Sequence, residues 1–274
     1  MPFAIGIFTS DPNLLRCELA RLRDEVSLGA HTDEPMGAGW YAEDAVLLQR
    51  YSARVRPERL DQLGGVLESE ALLVQAGPLP IGMSLEENTQ PFRYRHWLFV
   101  HQGAIAGGEK LRVRLMDALP EHLARVVRGS TPSELAFAVY LWALRDAGRT
   151  DAEHLEPGEA ARVLGTAARR MEQLAQDVGA RAPALGLFAT NNALLAVARV
   201  GEQPMFYRLL EGTATCSICG LDGSAKARPS VRAHLRRRSI VVSTQVADPQ
   251  AWIPIESGTA VGVGRDLSVH RMAI

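Results

Sequence analysis

At 274 residues, with 47% hydrophobic residues and a formal net charge of −1, the chain has the apolar content of a packed globular protein. That balance gives no electrostatic pull toward nucleic acid or a membrane surface. No run approaches the roughly 20 apolar residues of a membrane span. Ser10 and Asp11 interrupt the first apolar stretch, and no basic region precedes it, so the cytoplasm is the expected location.

In chain order, residues 3–8 read as a strand. Asp11 and Pro12 then open a helix with the apolar stripe Leu15, Leu19, Leu22 and Val26. Cys17 falls off that stripe and reads as a half-buried small residue. Gly37-Ala38-Gly39-Trp40 reads as a turn, where glycine serves positive φ or close backbone approach. Strands follow at 45–51, 71–76 and 97–101, the last ending in a tight turn at His101-Gln102-Gly103.

Thr131 reads as an N-cap, Pro132 as the first helical residue, and Glu134 as the partner that completes a capping box. The helix they start carries Leu135, Val139, Tyr140 and Ala143. Pro157 opens another, with Ala160, Val163, Leu164, Ala167, Met171 and Leu174 on one side. Further strands are expected at 184–189, 194–200, 205–210, 239–243 and 259–263. One-sided helices beside buried strands predict two sheets between helix layers, because each helix must bury its stripe on a sheet.

The segment Asn88-Thr89-Gln90-Pro91-Phe92, a short spacer, His96-Trp97-Leu98-Phe99-Val100 and then His101-Gln102-Gly103-Ala104-Ile105 resembles the centre of the class II glutamine amidotransferases. The similarity is to the free-standing members of that family, which are N-terminal nucleophile hydrolases. It implies an α+β fold, a four-layer αββα sandwich, formed as a single domain over residues 1–274.

In that family a cysteine follows the initiator Met, its thiolate attacks the glutamine amide, and its own α-amino group is the base. Here that position is Pro2. The family's next motif is His-x-Arg, whose Arg holds the substrate α-carboxylate by paired hydrogen bonds. Aligned on Gly82, Gln75 stands at the His and Gly77 at the Arg. The family's His-Asn-Gly supplies the oxyanion donors, and this chain has His101, Gln102 and Gly103. The Asp that pairs with the α-ammonium falls at Pro132.

Pro2, Gly77 and Pro132 have no side-chain donor, acceptor or charge. The resemblance therefore implies a pseudoenzyme without glutaminase chemistry, a binding, scaffold or regulatory protein for a protein partner or small molecule. Its pocket is expected to be lined by Gly37, Trp40, Gln75, Gly77, Asn88, His101, Gln102 and Gly103, with His101 bracing rather than catalysing. A neutral or apolar ligand suits such a lining. One alternative is an amidohydrolase acting on a non-glutamine amide, with Gln102 and Gly103 as oxyanion donors and Ser10 or Thr9 as nucleophile. Another is an enzyme using the Pro2 amine as a base or iminium former after removal of Met1.

Cys216-Ser217-Ile218-Cys219 has the spacing of half a zinc site or of a redox pair, and His234 is the nearest further ligand. Without a second pair the expectation is two ordinary reduced thiols and no cofactor, with zinc at Cys216 and Cys219 as the alternative. The run Arg228, Arg232, His234, Arg236, Arg237, Arg238 has no interleaved aromatic residues for base stacking. It reads as a solvated edge before a buried strand rather than a nucleic-acid surface.

Overall fold

The computed structural model describes every residue except 1, 2, 27–33, 44, 64–66, 80, 81, 153 and 225–227. Pro2 therefore lies outside the described residues. The strands are β1 (Phe3–Thr9), β2 (Met36–Ala42), β3 (Ala45–Tyr51), β4 (Ala71–Ala76), β5 (Phe92–Tyr94), β6 (Trp97–Ala104), β7 (Ala184–Thr190), β8 (Leu194–Val200), β9 (Phe206–Leu210), β10 (Thr215–Cys216), β11 (Leu221–Asp222), β12 (Ser239–Ser243), β13 (Ile253–Pro254), β14 (Thr259–Gly264) and β15 (Val269–Ala273). The helices are α1 (Leu15–Leu22), α2 (Leu85–Asn88), α3 (Gly108–Ala118), α4 (Glu121–Ala124), α5 (Pro132–Asp146), α6 (Pro157–Asp177) and α7 (Pro229–Arg236).

Two antiparallel sheets carry the fold. One has seven strands in the order β13-β9-β12-β1-β4-β2-β3, the other six in the order β15-β14-β8-β7-β6-β5. Side-chain alternation sorts their residues into three apolar layers. Ile5, Ile7, Leu72, Val74 and Val241 face α1, where they meet Leu15, Leu19 and Leu22. Phe8, Leu73, Leu98, Val100, Phe188, Val197 and Val242 fill the space between the sheets. Trp97, Phe99, Leu187, Ala196 and Ala260 face α5 and α6 on the far side. This is the four-layer αββα sandwich, and it explains why strands β1, β4 and β12 are buried on both faces instead of alternating.

Aromatic contacts fix α5 on the second sheet. Phe137 stacks on Phe92 and Phe99, while Tyr140 stacks on Phe99 and meets Trp97 edge-on. Each such pair adds about 1 kcal/mol beyond the area it buries. The start of α5 is thereby held over the end of β6.

Three expectations need correction. Residues 37–40 form no turn: they lie inside β2, hydrogen-bonded between β3 and β4. The glycines hide a strand because the position tolerates no side chain, a Cβ at Gly37 lying 1.9 Å from the Gln90 carbonyl oxygen. Strand β6 likewise does not stop at His101 but runs on through Gly103, which pairs with Leu185. Finally, Thr131 does accept a hydrogen bond from the Glu134 N–H at 3.4 Å, yet Glu134 completes no capping box, since its carboxylate accepts from the Arg128 N–H at 2.7 Å. No helix among the described residues is long and apolar enough to cross a membrane.

Candidate functional site

The candidate site is a cavity of about 250 Å³ at one end of the sandwich, lined by Pro35, Gln75, Gly77 and Pro78 from the first sheet's side, by His101, Gln102 and Gly103 of β6, and by the start of α5. Its position follows from register. On β4, Ala71 and Leu73 point between the sheets, so by alternation Gln75 is the next residue to do so. On β6 the same series runs Leu98, Val100, Gln102. The inter-sheet core thus ends in a glutamine on each sheet, where the layer opens to the cavity. Phe3 pairs with Ala76, so the first described residue of β1 lies beside the strand that leads into Gly77.

Most polar groups around the cavity are already engaged in holding it together. Gln90 brackets the backbone of His101, accepting from its N–H at 2.6 Å and donating to its carbonyl at 2.9 Å. His101 Nδ1 lies 2.9 Å from Ser133 Oγ, tying β6 to the first turn of α5. Asn88 accepts from the Ser130 N–H at 2.9 Å and donates to the Ser84 carbonyl at 3.0 Å. The ring of His101 is fully enclosed, and burial lowers its pKa to about 4 against the smaller opposing pull of the Ala184 carbonyl. It is a neutral imidazole at pH 7 and serves as a brace.

Among the described residues, the lining contains no Asp, Glu, Lys or Arg. Its free polar surface is amide and hydroxyl, with Gln75 and Gln102 8% and 5% exposed. Gly103 has φ +134°, and a Cβ there would stand 1.9 Å from the Ala184 carbonyl oxygen, so the backbone demands glycine whatever chemistry the site performs.

Of the residues expected here, the structure brings Gln75, Gly77, Asn88, His101, Gln102 and Gly103 to one cavity, together with Pro132. Gly37 and Trp40 are not among its lining residues. Gly37 is covered by Gln90, and Trp40 packs on the α1 side of the sheet, because alternation along β2 turns it that way. Thr9 and Ser10 are also misplaced as nucleophiles. They lie at the far end of β1, roughly 20 Å along the strand from Phe3 at about 3.4 Å per residue. There Thr9 Oγ1 accepts from Ser239 and Ser10 Oγ from the Arg238 N–H, both at 3.0 Å. Gln90, Thr131 and Ser133 were missed as site residues. The Asn-Thr-Gln-Pro-Phe segment contains Gln90, but its bracketing role depends on a strand that pairing alone places beside it.

Two antiparallel sheets face to face between helix layers, with the cavity at the ends of β4 and β6, give the chain the fold of the class II glutamine amidotransferases. A glutamine aminotransferase class-II domain protein from Silicibacter pomeroyi superposes with a TM-score of 0.58 at 18% identity, over 100% of this chain and 99% of that one. A predicted glutamine amidotransferase from Pseudomonas aeruginosa gives 0.55 at 16% identity, over 100% and 96%. In sequence, the probable glutamine amidotransferase DUG3 of Saccharomyces cerevisiae is 28% identical over 84 residues, which are 31% of this chain and 24% of that protein. The match thus spans about a quarter of the yeast protein's length. No family model matches the chain.

Proposed function

We propose that this chain is an amidotransferase-like pseudoenzyme, which keeps the cavity of the fold for binding and does not hydrolyse glutamine. The observation that carries this reading is the lining itself. Free glutamine is a zwitterion, and desolvating its carboxylate and ammonium without opposite charges costs several kcal/mol. The cavity offers glycine, proline and amides where that charge would need partners, and its histidine is neutral. A small neutral amide or an uncharged segment of a protein partner suits it, since primary amides at Gln75 and Gln102 present both donors and acceptors.

Incubation with L-glutamine and assay of released ammonia and glutamate tests the first half, with no turnover above background expected. Calorimetry with glutamine, glutamate and simple neutral amides tests the second, with no heat expected from either amino acid. Glutamine turnover, or tight binding of a free amino acid, overturns the proposal.

A further inference from the structure

Away from the cavity, four side chains with soft or borderline metal-ligand atoms converge from three elements: Cys17 of α1, Cys216 and Cys219 of the β10–β11 hairpin, and His234 of α7. Their ligand atoms all lie within 4.8 Å of one another. Cys17 is 1% exposed, not half-buried as its helix position suggests, because the hairpin covers the side of α1 opposite the apolar stripe.

Two details distinguish this cluster from thiols that merely share a space. Cys17 Sγ and Cys219 Sγ are 3.6 Å apart. A disulfide bond is about 2.05 Å long, whereas two sulfurs bound at about 2.3 Å to one tetrahedral zinc sit about 3.8 Å from each other. His234 is 2% exposed, and its Nδ1 lies 2.8 Å from the Ser230 carbonyl, which accepts only from an N–H. That contact makes Nδ1 the protonated nitrogen and leaves a lone pair on Nε2, which is buried without a hydrogen-bond partner among the described residues. Backbone carbonyls fix the tautomer of metal-bound histidines in this manner.

We propose that Cys17, Cys216, Cys219 and His234 form a closed, tetrahedral zinc site that fastens the hairpin and α7 to α1. Three thiolates and one imidazole fill all four positions, the arrangement of structural rather than catalytic zinc. The set leaves a net charge of −1; the same groove is lined by Arg21 and Arg237, which share Glu18, and by Arg23 paired with Asp24. The site also gives the hairpin its hold. Two strands of two residues each cannot persist alone in water, and Gly220, with φ +63°, lets the chain turn back directly after Cys219.

The test begins with the whole protein purified without chelator under reducing conditions and analysed by elemental mass spectrometry, with about one zinc per chain expected. Replacement by cobalt is expected to give the visible bands of a four-coordinate thiolate site, and these are lost in Cys216→Ser and weakened in His234→Ala. Chelation is expected to lower Tm by several degrees, and zinc to restore it. Should a serine variant fail to fold, thiol titration of the wild type decides. Three thiols protected until chelator is added support the site. Three freely reactive thiols with no zinc retained after incubation, or a Cys17–Cys219 disulfide, overturn it.

Discussion

The cavity at the mouth of the sheets and the cysteine–histidine cluster beside α1 are opposites in how their polar atoms are satisfied. At the cavity, His101 Nδ1, Asn88 and Gln90 are bound into the scaffold, and what remains is amide, hydroxyl and the buried Nε2 of His101, which has no hydrogen-bond partner among the described residues. At the cluster, three sulfurs and an imidazole lone pair meet, with no donor for the nitrogen among the described residues. The lesson is that a lone unpartnered nitrogen in a cavity and four ligand atoms gathered within 4.8 Å of one another are different things, and among the described residues the gathering occurs at the cluster.

The contrast can be broken first at Gly103. If this residue is retained for the backbone and not for an oxyanion, Gly103→Ala disrupts folding itself, by about 4–5 kcal/mol, from the contact with Ala184 and the φ of +134°. Denaturant unfolding measures it; a stable Gly103→Ala protein would falsify the structural reading.

Beside the cluster, Arg237 and Glu18 form an ion pair with both side chains fully buried. Replacing Arg237 by Met leaves Glu18 with the partly exposed Arg21 as its ion-pair partner among the described residues and is expected to cost about 3–5 kcal/mol, while the double Met variant recovers much of the loss. Equal losses in the single and double variants would show that the pair is not coupled. The run of arginines is therefore not simply a solvated edge. Arg228, Arg232, Arg236 and Arg238 are exposed, but His234 and Arg237 turn inward.

At the cavity, His101 makes stability depend on pH. Its folded pKa is lowered to about 4, whereas an unfolded histidine takes up its proton near 6.5. Between those values the unfolded chain binds more protons, so stability falls as pH drops from 6.5 to 4 and is fully present above that window. The loss reaches roughly 3 kcal/mol at the acid end. Denaturation at neutral and acid pH should show a shallower fall in His101→Gln than in the wild type.

Smaller effects sharpen the same contrast. Thr131→Ala removes the cap of α5 and should lower stability by about 1 kcal/mol. Gln75→Ala and Gln102→Ala, whose amides project into the cavity, should change stability by no more than about 0.5 kcal/mol. A large loss at either glutamine would place its amide in the scaffold rather than at the binding surface.

Much of the fold was legible residue by residue. The strands at 45–51, 71–76, 194–200 and 239–243 have the expected bounds, because short runs rich in Val, Leu and Ile leave few alternatives. The helices after Thr131 and Pro157 were marked by their proline starts and apolar stripes. Strand β2 was missed because glycine masks strand propensity, β5, β10, β11 and β13 because two or three residues carry no periodic signal, and β15 because its Val269-His270-Arg271-Met272-Ala273 is too polar to read as a buried run.

The sequence by itself determined the sandwich and the absence of side-chain charge at Gly77 and Pro132, since apolar runs, one-sided helix stripes and side-chain chemistry are local properties. Only the tertiary structure decided that Trp40 leaves the cavity, that Ser133 braces His101, and that Cys17 meets Cys219 across 202 positions. Those contacts depend on strand register and on which layer covers which face, and no spacing along the chain encodes the distance between residues that far apart.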